Sequence, residues 1–219
     1  MSYNINTKLY WDGRFASGDW ENKGGRLQTQ QFAMAQMEFI SLPRQFEGTI
    51  LDFGCGLGDA IPVYSKYFPK AKLLGLDHSE SAISLCREKH GEIAEFISGD
   101  VNKVPNVDII IASNVMERIS NDESIIAHLL TKCLELYVFV PYKEKPLCSE
   151  HVNYYDETSY SRFVPLETKV FFSKGWSQYG INLLIDVYLK NLVRPFIGRP
   201  LVRRKKQIMF QMKGSIPHR

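Results

Sequence analysis

Clustered cysteines are missing from this 219-residue sequence. Its four cysteines are far apart, and none belongs to a C-x-x-C pair: Cys55, Cys86, Cys133 and Cys148. Zinc knuckles need close cysteine pairs, and small disulfide-stabilised domains need many cysteines. Because the histidines show no ligand spacing either, we expect no bound metal. We also expect a reducing, cytoplasmic environment.

Long apolar runs and a strong excess of charge are missing as well. No stretch approaches the ~18 apolar residues of a membrane span, and the start, MSYNINTKLYWDGR, lacks the layout of a signal peptide. We therefore expect no transmembrane segment. The net charge of +3 is too small to predict a nucleic-acid partner. The basic run 199–206 indicates a solvated turn, or else a patch for phosphate, an anionic glycan or a membrane surface.

What the sequence does contain is a series of short apolar runs, each ended by Gly, Asp or Pro. Four of them predict buried strands, at 49–54, 71–77, 107–113 and 135–142. Helical segments alternate with them at 58–67, 79–90 and 121–133, and 94–97 indicates an edge strand. This order predicts a Rossmann-like, doubly wound α/β fold: a mostly parallel seven-stranded sheet with helices on both faces and an antiparallel final strand. Ser79 and the capping box Ser120-x-x-Glu123 predict two helix starts.

The length and composition predict one domain, with further segments on either side of its core. An aromatic, polar N-terminal segment with a helix at about 30–40 indicates a lid, and a charged, tyrosine-rich segment indicates a substrate loop. The tail supplies a strand at 169–172, a helix at about 178–192 and a final strand at 207–212. The predicted parts are a lid (1–47), a cofactor-binding core (48–142), a substrate loop (143–167) and a sheet-completing segment (168–219).

A glycine-rich turn follows the first predicted strand, and an acid follows the second. The turn contains Gly54, Gly56 and Gly58, and Asp77 comes 19 residues after the last of them. Glycines let the backbone approach a ligand closely, and an acid at this place accepts both ribose hydroxyls of a nucleoside. The spacing is G-x-G-x-G rather than the dinucleotide pattern, and Asp52 would repel a pyrophosphate. Both features favour S-adenosylmethionine (AdoMet), which has no phosphate and carries two cationic groups.

These motifs resemble the class I AdoMet-dependent methyltransferase family over about residues 49–142. The resemblance implies cofactor contacts at positions that match the family's motifs. The methionine end would meet Asp52, Gly54, Cys55, Gly56, Gly58, Ser113 and Asn114, the ribose Asp77, and the adenine His78, Asp100 and Val101. Asp100 has the alternative role of capping a turn, and His78 of an exposed residue at a helix entry. Arg118 departs from many small-molecule members, which have His at this place, so no role for that His carries over.

The predicted substrate loop supplies the candidates for catalysis. His151 is the first, because an imidazole titrates near neutrality and can take the proton that a hydroxyl loses on methylation. Tyr154 and Tyr155 are the next candidates. A structural or exposed histidine is the alternative, since methyl transfer also proceeds by positioning and desolvation alone. In the lid, Tyr10 and Arg14 are candidates for the sulfonium and the methionine carboxylate, with simple aromatic packing as the alternative.

Taken together, the patterns predict an AdoMet-dependent methyltransferase of a small polar acceptor. The stretches EHVNYYDETS and RPFIGRP…KKQIMF resemble methyltransferases of bacterial surface-polysaccharide clusters. That resemblance implies O-methylation of a capsule or lipopolysaccharide sugar, or of its phosphorylated precursor. An RNA or protein methyltransferase is one alternative, although residues 113–116 lack the N/D-P-P-Y/F motif of base amino-group methylation. A non-catalytic AdoMet-binding subunit is the other.

Overall fold

The apolar runs form strands at nearly the predicted bounds in this computed structural model, which describes residues 5–175 and 180–216. The strands are β1 (Thr49–Phe53), β2 (Lys72–Asp77), β3 (Glu95–Ser98), β4 (Ile109–Ser113), β5 (Glu135–Pro141), β6 (Glu167–Phe172) and β7 (Lys206–Lys213). They form one sheet in the order β3-β2-β1-β4-β5-β7-β6. The first five run parallel, and β7 is antiparallel to both β5 and β6. The predicted fold class is confirmed.

Helices lie ahead of the sheet strands, between the parallel strands, and between β6 and β7. They are α1 (Lys8–Ala16), α2 (Asp19–Asn22), α3 (Gly25–Gln36), α4 (Ile61–Tyr67), α5 (Glu80–His90), α6 (Asp122–Leu130), α7 (Gly180–Leu183) and α8 (Lys190–Val193). A π-helical segment, Leu184–Leu189, joins α7 to α8, and a 3-10 turn, Arg194–Ile197, follows α8. The stretch 180–197 is therefore continuously helical, and we call it the 180–197 helix.

Side chains of the parallel strands alternate between two hydrophobic layers, one on each face of the sheet. In β4, Ile110 packs in the layer that also contains Ile126 of α6, whereas Ile111 packs in the layer that contains Tyr64 of α4. This alternation follows from the period of two in a strand, and burial on both faces explains the continuous apolar runs. β1 lies between β2 and β4, and the chain crosses back past β1 after β3, so the strand order reverses between β1 and β4. Open α/β sheets bind ligands at the carboxyl ends of the strands at such a reversal.

Two helix starts differ from the prediction, while a third agrees. The prediction of a capping box at Ser120 is wrong. Helix α6 begins after Asn121, and the Glu123 carboxylate pairs with Arg162 instead of accepting the Ser120 N–H. The lid helix predicted from residue 30 begins at Gly25, where any larger residue would overlap the Trp20 indole. The Ser79 hydroxyl does accept the Ala82 N–H at 3.1 Å and caps α5. Residue 178, the predicted start of the last helix, lies outside the described residues.

Candidate functional site

A cavity of about 500 Å³ lies at the carboxyl ends of β1, β2 and β4, beneath α1 and α3. This volume is within the usual range for small-molecule sites. The lid contributes aromatic side chains to its wall: Trp11, Phe15, Trp20 and Phe32. Of the predicted cofactor residues, the wall contains Asp52, Gly54, Cys55, Gly56, Asp77, His78, Asp100, Val101, Ser113 and Asn114. His151 also lies in the wall, so most of the predicted set meets at one place.

The glycine turn after β1 forms one wall through its backbone. Gly54 has a φ of +74°, and a Cβ there would overlap the Val115 side chain. Gly56 has a φ of +52°, and its Cβ position is 3.4 Å from the Phe15 ring of the lid. Glycine is the residue that adopts these angles without strain, and the missing side chains leave space for a ligand. Gly58 is outside the wall, and a Cβ at this position would meet Cys86 and His90 of α5 and Phe96 of β3.

Asp77 is fixed at the end of β2 by two backbone donors. The Gly56 N–H donates to its Oδ2 and the Ser79 N–H to its Oδ1, both at 2.9 Å. These bonds aim the carboxylate into the cavity from a buried position, and burial raises its pKa above the ordinary value. A buried acid that lines a nucleoside-sized cavity beside a glycine turn fits two ribose hydroxyls.

Asp52 adds a second buried carboxyl to the same wall. Burial, and secondarily the neighbouring Asp77, raises its pKa to about 7. A cationic ligand group would favour the ionised form of this carboxyl, whereas a phosphate would be repelled by it. The acid pair therefore fits the cationic methionine end of AdoMet and disfavours a dinucleotide.

The far end of the cavity contains the residues predicted to meet adenine. Asp100 Oδ1 accepts the Asn102 N–H at 3.0 Å and caps a 3-10 turn, so its alternative role as a turn cap is realised. Both Asp100 and Val101 line the cavity as well, and His78 lies beside Asp77 in the same wall. The two roles proposed for Asp100 are compatible, since a carboxylate accepts several hydrogen bonds.

The turn after β4 carries a strained residue that sequence reasoning did not single out as strained. Asn114 has a φ of +55°, in the left-handed region. Its Oδ1 accepts from Gln207 Nε2 of β7 at 3.0 Å, and its Nδ2 donates to Ser113 Oγ at 3.1 Å. These bonds hold the Asn114 backbone where the resemblance places the methionine ammonium. Gln207 was missed, because only the antiparallel pairing of β7 with β5 brings it here.

His151 and Glu117 form the polar end of the cavity. The substrate loop docks on the turn after β4, where the Glu117 carbonyl accepts the Val152 N–H at 2.7 Å. His151 Nδ1 bonds to the Glu144 carboxylate, and its Nε2 is 3.7 Å from Glu117 Oε1. The Glu117 carboxylate is buried and makes no hydrogen bond within the described part of the chain. Burial raises its pKa. A buried carboxyl with cationic neighbours at 3.7 and 3.8 Å but no hydrogen bond to the described residues is able to accept one from a ligand group in the cavity.

Tyr154 and Tyr155 lie away from this polar end. The Tyr155 hydroxyl donates to Asp122 Oδ2 at 2.7 Å, in a buried network with Tyr160. Tyr154 is 37% exposed and stacks with Lys145. The structure places neither ring in the cavity wall, because the Tyr155 hydroxyl is held by Asp122 and the Tyr154 ring lies against Lys145.

Tyr10 and Arg14 also differ from their predicted placement. They are four residues apart on α1, and both contact Glu150 of the substrate loop instead of lining the cavity. The neighbouring helix face presents Trp11 and Phe15 to the cavity. Arg118, whose guanidinium lies 4.9 Å from the Trp11 ring centroid, also pairs with Glu150. The Tyr10–Arg14 face therefore ties the lid to the substrate loop.

Three groups of metal-ligand type come together in the substrate loop, although the sequence predicted no metal. The ligand atoms of Glu144, Cys148 and His151 lie within 4.8 Å of one another. The glutamate and histidine already bond to each other. The metal-independent site stays a prediction, which a chelator in the methyl-transfer assay tests.

Comparisons with known proteins agree on the core. Residues 50–135 match a family model described as a methyltransferase domain. The trans-aconitate 2-methyltransferase of Variovorax paradoxus (strain S110) is 25% identical over 107 residues, which cover 48% of this chain and 41% of that protein. The enzyme of the same name from Acidovorax sp. (strain JS42) is 30% identical over 88 residues, which cover 39% of this chain and 33% of that protein. The matches thus span about two-fifths or less of the curated relatives.

Solved structures show the fold. A chain of the complex between the Haloferax volcanii Trm112 methyltransferase activator and a candidate methyltransferase aligns with a TM-score of 0.66 at 14% identity, covering 95% of this chain and 98% of that one. Coclaurine N-methyltransferase, bound to N-methylheliamine and SAH, aligns with a TM-score of 0.61 at 12% identity. The alignment covers 84% of this chain and 72% of that one. The plantazolicin methyltransferase BpumL, in complex with SAH, aligns with a TM-score of 0.55 at 18% identity, and the alignment covers 96% of both chains. The Rossmann-like methyltransferase fold is common to all three alignments.

Proposed function

We propose that this chain is an AdoMet-dependent methyltransferase of a small polar acceptor. The observation that carries the proposal is Asp77, a buried carboxylate fixed by the Gly56 and Ser79 N–H groups in the wall of a nucleoside-sized cavity. The matched methyltransferase-domain core contains this acid and the glycine turn. When bound, AdoMet supplies a methyl group on a cationic sulfur.

Different residues of the cavity wall would bind different parts of AdoMet. Asp77 would accept the ribose hydroxyls, and Asp52 would offset the positive charge of the methionine end. The Asn114 backbone, held by Gln207, would accept from the ammonium group. The aromatic rings of Trp11 and Phe15 close the cavity from the lid side and exclude water from it.

The proposed acceptor is a compound with a hydroxyl group. More specifically, we propose a sugar, or its phosphorylated precursor, of a bacterial capsule or lipopolysaccharide. A sugar hydroxyl adjacent to the reacting one can donate to the buried Glu117 carboxylate, which places the reacting hydroxyl next to the His151 imidazole. The curated relatives' names suggest a carboxylate acceptor as a second candidate. Against it, Glu117 and Glu144 would repel a carboxylate at this end of the cavity, and the Arg118 guanidinium is already paired with Glu150. The same repulsion requires a phosphorylated precursor to bind with its phosphate away from Glu117 and Glu144.

His151 is the proposed general base. Its bond to Glu144 through Nδ1 orients the ring and leaves Nε2 on the side of Glu117. In this arrangement Nε2 takes the proton of the acceptor hydroxyl, and Glu144 stabilises the imidazolium that forms. Glu144 is thus a positioning residue.

The cofactor is tested by calorimetry on the full chain. AdoMet and its demethylated product should bind, and NAD should bind more weakly or not at all. Asp77→Asn should weaken AdoMet binding by about 2 kcal/mol, since charge-assisted hydrogen bonds to hydroxyls become neutral ones.

Asp59→Asn is the matched control for that substitution. Asp59 is an equally buried acid of the glycine turn that lies outside the cavity wall. Its substitution should leave AdoMet affinity within error. Tighter binding of NAD than of AdoMet, or equal losses in the two variants, would contradict the proposed cofactor site.

The acceptor is tested by following methyl transfer from labelled AdoMet to a panel. The panel contains hydroxyl sugars and sugar phosphates, trans-aconitate, and a mixed RNA, each with and without a chelator. Transfer to a sugar hydroxyl that survives the chelator supports the proposal. Preferential transfer to trans-aconitate or RNA contradicts the proposed small hydroxyl acceptor, and loss of activity on chelation contradicts the metal-independent site.

A further inference from the structure

The 180–197 helix has its apolar stripe on the outside. Large apolar residues recur along it at alternating intervals of three and one: Ile181, Leu184, Ile185, Tyr188, Leu189, Leu192, Val193, Phe196 and Ile197. This is the spacing of one helix face. Each of these side chains is exposed, from 37% at Ile185 to 89% at Phe196. We call this set the apolar stripe.

A different face of the same helix holds it to the protein. Val187 is buried, and Asn191 exchanges two hydrogen bonds with the backbone of Val202, at 2.7 and 2.9 Å. The helix is thus seated through one face while a second, entirely apolar face points outward. An apolar face of this size on the surface of a protein marks an interaction site.

The surroundings of the stripe are strongly basic. Residues 180–206 contain seven Lys or Arg residues and one acid, Asp186, which gives a net charge of +6. Because the whole chain has a charge of only +3, all other residues together carry −3. The Asn191–Val202 bonds keep the basic run 199–206 alongside the helix. Apolar area and positive charge therefore share one part of the surface.

We propose that residues 180–206 dock this protein on the surface of an anionic lipid bilayer. The apolar stripe enters the boundary between headgroups and acyl chains, and the basic residues contact the lipid phosphates. Within the part of the chain that the structure describes, no helix is long and apolar enough to cross a membrane. With the apolar stripe on one side and the basic residues at the phosphates, the proposed orientation of the helix is along the surface.

The positive charge favours an anionic bilayer over a second copy of this chain as the partner of the apolar stripe, and the stripe itself disfavours a nucleic acid. A second copy of this chain would bring another +6 against the first and would be repelled. A nucleic acid would satisfy the basic residues but would leave the apolar stripe in water. An anionic bilayer is complementary to both the charge and the apolar stripe. The inference does not depend on the proposed methyltransferase activity.

Vesicle co-sedimentation with the full chain tests the inference. Vesicles of phosphatidylcholine alone are compared with vesicles that also contain phosphatidylglycerol. The protein should sediment with the anionic vesicles at least about tenfold more strongly, and added salt should weaken this binding. Phe196→Ser and Arg199→Glu should each weaken it by about tenfold or more.

Two control variants match these changes elsewhere on the surface. Leu9→Ser removes an apolar side chain that is 83% exposed on α1, and Lys66→Glu reverses an exposed charge on α4. Both controls should sediment like the parent protein. Failure to sediment with anionic vesicles at low salt overturns the inference, as do equal losses in the controls. Concentration-dependent dimers that Phe196→Ser abolishes, without vesicle binding, would assign the stripe to a second copy instead.

Discussion

Asp52 lies in the cavity wall with a pKa of about 7, far above the ordinary aspartate value, chiefly because it is buried. In the unfolded chain the same group releases its proton near pH 4. Between these values the folded protein holds a proton that the unfolded chain has lost. The free energy of unfolding therefore falls as the pH rises from about 4 to 7, and the full penalty is present above pH 7.

Asp52→Asn should remove that penalty. At pH 8 the ligand-free variant should be more stable than the parent by about 2–4 kcal/mol, as measured by urea unfolding, because a buried charge is replaced by a neutral amide. AdoMet should bind the variant more weakly. At pH 4 the difference in stability should shrink to below about 0.5 kcal/mol, since the folded carboxyl is then protonated and the unfolded one is about half protonated. An equal stabilisation at pH 4 and pH 8 would show that burial of charge is not the cause.

His151→Ala tests the proposed base. The turnover number should fall by ~10² to 10⁴ with the acceptor that the panel identifies, while AdoMet affinity stays nearly unchanged. Tyr154→Phe, in the same loop but outside the cavity wall, is the control and should keep its turnover. A melting temperature measured with AdoMet separates lost chemistry from lost folding. A well-folded His151→Ala variant with a normal rate would remove this residue from the mechanism.

At the scale of elements, the glycine turn between β1 and α4 tolerates substitution poorly. Gly54→Ala should destabilise the ligand-free protein by about 2–4 kcal/mol, because Gly54 has a φ of +74° and its Cβ would overlap Val115. The double variant with Val115→Ala should recover the part that is due to overlap. Gly13→Ala, in α1 with open space around the new Cβ, should instead stabilise by about 0.5–1 kcal/mol. Urea unfolding measures all three, and equal effects at Gly54 and Gly13 would refute the argument.

The strands were predictable because burial on both faces leaves a strong local pattern. A run such as Thr49–Phe53 can be read without knowing its neighbours. Which face of a helix meets the cavity was harder to predict. Tyr10 and Arg14 share one face of α1, and Trp11 and Phe15 share the neighbouring face. The local sequence does not indicate which of the two faces the cavity. The helix start assigned to Ser120 failed because Glu123 has a partner elsewhere, in Arg162.

Long-range contacts explain the remaining gaps in the predicted site. Glu117 was passed over because its importance comes from an approach to His151, which only the docking of the substrate loop on the turn after β4 creates. Gln207 reaches Asn114 across 93 positions of sequence through the antiparallel pairing of β7 with β5. The cofactor residues were easier to predict, since they follow strand ends within the βαβ units. Their roles stay predictions until ligand binding is measured.

At the scale of the whole molecule, the lid and the sheet should respond differently to a ligand. Because α1 and α3 contribute Trp11, Phe15 and Phe32 to the cavity wall, a ligand bound beneath them gains contacts with both helices. Hydrogen exchange should therefore slow about tenfold or more over Lys8–Gln36 when the demethylated cofactor is added. The amides of β7, inside the sheet, should exchange at unchanged rates. Uniform slowing of both regions would mean that the lid and the sheet open as one unit.

The position of β7 between β5 and β6 has a consequence for how the chain folds as it is made. Synthesis delivers β6 before β7, yet β6 pairs only with β7 among the described strands. Until residues 206–213 leave the ribosome, β5 presents an open edge and β6 has no neighbour to complete its backbone hydrogen bonds. The parallel strands can assemble during translation, but this side of the sheet closes last. A nascent chain that stalls in the basic run 199–206 is thus an aggregation-prone species that chaperones must shield.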